Sequence, residues 1–305
     1  MIIVDSITKR YGEKVAVDSL SFSVQPGIVT GFLGPNGSGK STTMRVIMGL
    51  DRPTDGTATV NGRSLIDHRA PMHEVGALIE AKAIHPGRSA HDHLATLAAT
   101  TGIPDRRVRE VIDLVGLTSV AKKRAGSFSL GMGQRLGIAA ALLGDPDTVI
   151  LDEPVNGLDP EGILWIRHLL KGLADEGRTV FVSSHLISEM GLMAEHLIII
   201  GRGKLIADMT VDEFRQSGND GTVDVTTPYP RDLTGILLGE GVSIDSTDDA
   251  NTLRVAGLPA AAIGDKAFAH GIPLHALVPR EASLEDAFLA LTHDSVEYQP
   301  TAVAA

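Results

Sequence analysis

The run Gly34-Pro35-Asn36-Gly37-Ser38-Gly39-Lys40-Ser41-Thr42 matches G-x-x-x-x-G-K-[ST], the pattern of a phosphate loop. Ile28 to Leu33 before it reads as a buried strand, and Ser41 to Leu50 after it as a helix. Strand, loop and helix in that order are the setting the motif needs. Its glycines let the backbone curl until several N–H groups face one point. The helix N-terminus adds partial positive charge there. Lys40 is placed to reach β- and γ-phosphates, and the Ser41 hydroxyl to ligate Mg²⁺. The stretch therefore implies a bound nucleoside triphosphate, and leaves open what its energy drives.

Working outward, residues 1–30 alternate as strands, and Thr57 to Val60 adds another, closed by the hairpin dipeptide Asn61-Gly62. From about residue 86 to 145 the period becomes helical, with Ser89 and Asp92 marking a helix start. Strand character returns at Thr148 to Leu151 and Thr179 to Ser183, around a helix near Glu161 to Leu173. This order predicts an α/β parallel sheet with a helical block inserted between its halves. Leu197 to Ile206 reads as a closing hairpin. Beyond Thr210 short strands alternate with alanine-rich helices, which predicts a small α+β domain. The expected division is 1–215 and 216–305, with a frayed tail at Gln299 to Ala305.

Composition narrows the classes. A chain of 305 residues, 43% hydrophobic and 21% charged, fits about two globular domains. There is no cysteine, which removes disulfide and thiolate chemistry. No leader is read at Met1 to Asp5, and the longest apolar runs fall short of the ~18–20 residues of a membrane span. Nine of the eleven net negative charges lie in residues 216–305, which disfavours nucleic acid as a partner.

Further segments carry chemistry. Val149-Ile150-Leu151-Asp152-Glu153-Pro154 is an apolar strand ending in two carboxylates. Asp152 suits Mg²⁺ held through water, and Glu153 a general base on an attacking water. Phe128-Ser129-Leu130-Gly131-Met132-Gly133-Gln134-Arg135 opens a helix and by itself reads as an N-capped helix. As a second anion-binding helix N-terminus it is one more than a single nucleotide needs. Asn156-Gly157-Leu158-Asp159-Pro160 is a turn, and Ser183-Ser184-His185 ends the next strand at the sheet edge where ligands bind.

In this order the pieces resemble the nucleotide-binding subunit of ATP-binding cassette (ABC) transporters, over about residues 1–215. The resemblance implies a P-loop NTPase fold: a RecA-like parallel sheet, an antiparallel β subdomain and an inserted helical subdomain. It implies ATP and Mg²⁺, hydrolysis with Glu153 as base and His185 as switch histidine, and Tyr11 stacking on adenine. Ser129 and Gly131 stand in the family's L-S-G-G-Q signature and would contact the nucleotide of an opposite subunit, with Asp159 in the loop crossing the interface. Implied partners are a second cassette, identical or paired, and a separately encoded membrane permease, which places the chain on the cytoplasmic face of the membrane. Leu130 and Met132 depart from the signature, and Glu80 replaces the family's glutamine near the metal. These departures, with Ser283 to Phe288 as a closing helix, resemble exporters of the bacitracin-resistance and lantibiotic-immunity type. His85, His91 and His93 read as polar surface near a partner-docking loop rather than a metal site. A non-transport ABC ATPase and a non-hydrolysing adaptor are the alternatives; intact Glu153 and His185 weigh against the adaptor.

Overall fold

A computed structural model of the chain describes residues 1–80, 84–217, 221–247, 249–280 and 283–292. The expected tail at Gln299 to Ala305 lies outside them. Two compact units are present among the described residues: one of Met1–Val211 with Leu291 and Thr292, the other Asp212–Ala290.

In the first unit β1 (Ile2–Tyr11) and β2 (Lys14–Val24) lead into β3 (Val29–Leu33), which is buried along its whole length. Helix α1 (Lys40–Ile47) follows the phosphate loop, then β4 (Asp55–Val60), α2 (Pro71–Glu74) and β5 (Val75–Leu78). The helical block is α3 (Ala90–Thr101), α4 (Asp105–Leu114) and α5 (Leu130–Leu142). Next come β6 (Thr148–Asp152), α6 (Pro160–Asp175), β7 (Thr179–Ser184), α7 (Ile187–Met193), β8 (His196–Gly201) and β9 (Lys204–Thr210).

Six of these strands make one sheet in the order β5-β6-β7-β3-β8-β9, parallel except for β9. Continuous apolar runs such as Leu197 to Ile200 are buried, as strands covered on both faces require. A second sheet, β2-β1-β4, is antiparallel and packs its Phe22 against Phe32 and Phe181 of the first, at ring-centroid distances of 5.5 and 5.7 Å. Asn61 and Gly62 do take left-handed φ values of 50° and 80°, but the return is the single bridge Val60–Arg63. No hairpin forms there, because β4 pairs with the distant β1 and the chain after Arg63 turns into a short 3₁₀ turn at Leu65–Asp67.

Register places the site. Leu33 pairs with Ser184, and Asp152 with Ser183. The phosphate loop, Glu153 and His185 therefore leave three adjacent strands at one carboxyl edge, where open α/β sheets bind ligands.

The second unit begins in α8 (Val211–Ser217) and continues with β10 (Val223–Thr226), α9 (Pro230–Leu237), β11 (Ser243–Ser246), β12 (Thr252–Ala256), α10 (Ala260–Ala269) and β13 (Ala276–Pro279); α11 (Leu284–Thr292) follows. Its sheet runs β11-β12-β10-β13 with antiparallel pairs, the split βαβ arrangement. Val223, Val225, Leu253 and Val255 bury one face against Leu233, Leu237 and Ile263. The alternate residues carry an Arg254–Asp224 ion pair at 3.0 Å and a Thr226–Thr252 hydroxyl contact at 2.9 Å. Among the described residues no helix is long and apolar enough to cross a membrane.

Two glycines test this packing. On β5, a Cβ at Gly76 would run into the backbone carbonyl of Ala141 on α5, which cannot rotate aside. On α6, Gly172 is exposed with nothing within 4 Å. Gly76→Ala should lower unfolding free energy by about 1–3 kcal/mol, and Gly172→Ala should raise it by about 0.5–1 kcal/mol; urea titration of both variants reads the contrast.

Candidate functional site

The phosphate loop is shaped by close approach. Gly39, N-cap of α1, has φ +106°, and a Cβ there would stand 2.6 Å from the Ala16 carbonyl oxygen. A Cβ on Gly34 would meet the Ile200 carbonyl and the Ser38 hydroxyl. No side chain caps α1, so its first N–H groups are left for an anion. The Ser38 hydroxyl is buried without a hydrogen-bond partner, while the Ser38 carbonyl accepts from Gly203 N–H at 2.9 Å and ties the loop to the β8–β9 turn. Lys40 folds over the loop: Nζ donates to the carbonyls of Gly34 at 2.6 Å and Pro35 at 3.3 Å. Burial pushes its pKa below the ordinary lysine value, and the charges of Glu153 and Asp152 pull it back up.

Beside the loop stand the two acids of β6. The Ser41 hydroxyl donates to Asp152 Oδ2 at 2.6 Å, and the Ser183 hydroxyl donates to Asp152 Oδ1. Glu153 has φ +50°, so the backbone turns left-handed as β6 ends and sends the second carboxylate a different way from the first. That turn is held from two sides. Glu153 N–H donates to Ser183 Oγ at 3.0 Å, and the buried Gln134 amide on α5 donates to the Glu153 carbonyl at 3.2 Å. The Glu153 carboxylate meets His185 Nδ1 at 2.8 Å. An N–H cradle, an ammonium, a serine hydroxyl and a carboxylate are the donor set that a triphosphate with Mg²⁺ fits.

The chain thus brings Lys40, Ser41, Asp152, Glu153 and His185 together. It does not bring Ser129, Gly131 or Asp159 to them by any described hydrogen bond. Ser129 caps α5, accepting from Met132 N–H at 3.2 Å, and Asp159 caps α6, accepting from Gly162 N–H at 2.9 Å. These caps adjoin: a Cβ on Gly131 would stand 2.7 Å from the Gly157 carbonyl, and Leu130, 60% exposed, lies against Gly157. Pro35, Asn36, Gly37 and Thr42 complete the loop around Lys40. Glu80 is exposed two residues past β5, as Glu153 is one past β6, on the next strand over; the cation that feels its charge is Arg45. Tyr11 ends β1, 49% exposed, with its phenol beside Thr42. His91 pairs with Asp105 at 3.0 Å, and among the described residues no cluster of three metal-ligating side chains exists.

Sequence reasoning gave no role to Gln134, or to Ser183 as the bridge between Asp152 and Glu153. One signal was available: an amide at a position of α5 that the helical period turns inward must find a buried partner.

Comparison with known proteins follows the same division. A family model described as "ABC transporter" matches residues 17–156, and a model described as a domain of unknown function (DUF8746) matches residues 221–285. The bacitracin transport ATP-binding protein BcrA of Bacillus licheniformis is 41% identical over 213 residues, covering 69% of this chain and 70% of that protein. The linearmycin resistance ATP-binding protein LnrL of Bacillus subtilis is 34% identical over 311 residues, covering 96% and 98%. A cassette solved as a dimer in a post-hydrolysis state with ADP and Pi aligns at TM-score 0.64 and 25% identity, covering 69% of this chain and 99% of that one.

Gln134→Leu keeps the volume of a buried side chain but leaves the Glu153 carbonyl without its donor. It should cost about 1–3 kcal/mol of stability, read as a lowered urea midpoint.

Proposed function

This chain belongs to the ATP-binding proteins of the ABC transporter family, and from that premise we propose that it is the ATP-hydrolysing subunit of an exporter whose membrane path is a separate permease. The observation that carries the chemistry is the pairing of Ser41 with Asp152 and of Glu153 with His185, side by side next to Lys40.

ATP and Mg²⁺ fit this donor set. Ser41 and Asp152 are the residues that would hold the metal, with Glu80 near it, and Mg²⁺ supplies charge neutralisation of the phosphates. Lys40 exchanges the Gly34 and Pro35 carbonyls for β- and γ-phosphate oxygens. Tyr11 stacks on adenine. Glu153 orients a water and takes its proton, while His185, bonded to Glu153 before nucleotide arrives, turns to the γ-phosphate.

Ser129, Gly131 and Asp159 have no work at their own phosphate loop. Their place is the partner's: two chains head-to-tail would each close the other's ATP, as a homodimer or with a paired cassette. The dimeric cassette among the solved neighbours supports this reading. The ATPase would sit on the cytoplasmic face of the membrane. The names of its relatives, a bacitracin transport protein and a linearmycin resistance protein, favour export of a peptide or other antibiotic. Its acidic second unit gives nucleic acid no binding surface by charge.

Glu153→Gln should lower phosphate release at least about 100-fold, the low end of a general base's contribution, and leave an ATP-dependent dimer on size-exclusion chromatography. Turnover at the parental rate would overturn the assignment of Glu153. Lys40→Ala should weaken MgATP binding about 10- to 100-fold by calorimetry, the scale of lost charged hydrogen bonds.

A further inference from the structure

Tyr11 is not a loose ring. Its hydroxyl donates to Asp51 Oδ2 at 2.8 Å, across 40 residues of sequence. Asp51 is gripped in turn by Arg45, whose Nε donates to Oδ2 at 2.8 Å and whose second guanidinium nitrogen donates to Oδ1 at 3.3 Å. Arg45 lies in the last turn of α1, the helix whose first residue is Lys40. Asp51 N–H also donates to the Arg45 carbonyl at 3.2 Å, so the acid is fixed at backbone and side chain alike. Lys9 completes the arrangement: its ammonium donates to the Arg52 carbonyl at 2.7 Å and sits 5.0 Å from the Tyr11 ring centroid. A cation thus stands over one face of the ring, so a stacking base would take the other.

We propose that Asp51 is a positioning residue for nucleotide binding: with Arg45 and Lys9 it locks the Tyr11 ring in one orientation and at one distance from the phosphate loop. This rests on the reading of Tyr11 as the ring that stacks on adenine. The chain of contacts is rigid in the direction that matters. The phosphates are held at the start of α1, and Asp51 references the ring to the end of the same helix. Base and triphosphate are then measured against one element rather than two.

The electrostatics suit a permanent acceptor. The Arg45 hydrogen bond, followed by that of Tyr11, holds the Asp51 carboxyl down at about 2, so it is ionised throughout the physiological range. Burial and then the Asp51 carboxylate push the Tyr11 phenol above the usual tyrosine value, so it stays a donor. The stack carries little base selectivity, since every base presents a π-face and the phenol, already engaged with Asp51, has no hydrogen to spare for reading one. The device sets affinity for nucleotides as a class.

Calorimetric binding of MgATP and MgGTP, with KM and kcat for ATP, tests the idea on the full chain. Freeing a side chain that must be re-immobilised corresponds to about a 2- to 10-fold loss of affinity. Tyr11→Phe keeps the ring and removes the phenol's bonds to Asp51 and to Thr42 of the phosphate loop; it should show this loss, equal for ATP and GTP, in KM rather than in kcat. Asp51→Ala, which leaves the Thr42 contact in place, should show a loss in the same range and no greater, and the double variant no more than Tyr11→Phe alone. Losses that multiply in the double variant, or a fall in kcat at constant KM, would overturn the proposal. Should Asp51→Ala lower the urea midpoint, Asp51→Asn replaces it; keeping an acceptor for the phenol, it should bind more tightly than Tyr11→Phe, and weaker binding overturns the proposal. Tyr11→Ala separates the two readings. Unchanged ATP affinity there removes the stacking reading itself, whereas weakened affinity together with a parental Asp51→Ala removes only the positioning role.

Discussion

The hydroxyl of Ser183 stands between the two acids that the chemistry needs to be different. It donates to the side chain of Asp152 and accepts the backbone N–H of Glu153. Side chains on a strand alternate faces, so two adjacent carboxylates at a strand end have no fixed relation to one ligand. Ser183 supplies that relation from the neighbouring strand, through the register that pairs it with Asp152. The residue that follows this strand is His185, against the Glu153 carboxylate, and on its other side the strand pairs Ser184 with Leu33 at the mouth of the phosphate loop. Strand β7 is thus the ruler against which the loop, Asp152 and Glu153 are set. A one-residue slip in its pairing would turn Ser183 to the opposite face of the sheet and away from Asp152.

What sequence carried and what it withheld follow from range. The phosphate loop, the acids after Leu151, the serine cap at Ser129 and the closing strand pair near Gly201-Arg202-Gly203 are local patterns, and each stands where its residues predicted. Strand order is not local. Nothing in Thr179 to Ser184 states that it lies between β6 and β3, and the Ser183 bridge exists only because it does. Asn61-Gly62 shows the converse. Its dihedrals were legible, but whether a returning strand would pair was decided by β1, about 55 residues earlier in the chain. The partners of Gln134 and Asp51 are non-local for the same reason: the inward amide of α5 is legible as needing a partner, but not that the partner is the Glu153 carbonyl, and nothing local ties Asp51 to Tyr11, 40 residues away.

Ser129 and Asp159 satisfy two demands with one side chain. As an N-cap, Ser129 uses an oxygen lone pair on Met132 N–H and keeps its own hydrogen to donate outward. A capped N-terminus is also an ordered one, so the helix dipole already points at the place a partner's phosphate would take, with no reorganisation left to the encounter. Asp159 does the reverse, since a carboxylate on Gly162 N–H offers outward only acceptors. On the proposed head-to-tail arrangement one edge would donate to the nucleotide and the other would accept hydrogen bonds from the partner's polar groups. Leu130, exposed against Gly157 between them, is apolar where the resembled signature has glycine, and a closed interface would bury it.

Charge gives the proposed site a reason to need a metal. Asp152 and Glu153 both lie close enough to Lys40 to act on its ionisation, and Glu80 leaves the next strand of the same edge. Three carboxylates against one ammonium repel a bare triphosphate. A divalent cation held by Ser41 and Asp152, as proposed, would offset that excess of negative charge. On that proposal Glu80 would sharpen the requirement, since a glutamine there would leave the edge one charge less negative. Arg45 takes up part of the difference, standing near enough to Glu80 to feel it while forked onto Asp51. On the proposed reading this guanidinium would serve both the base-stacking ring, through Asp51, and the charge balance near the metal.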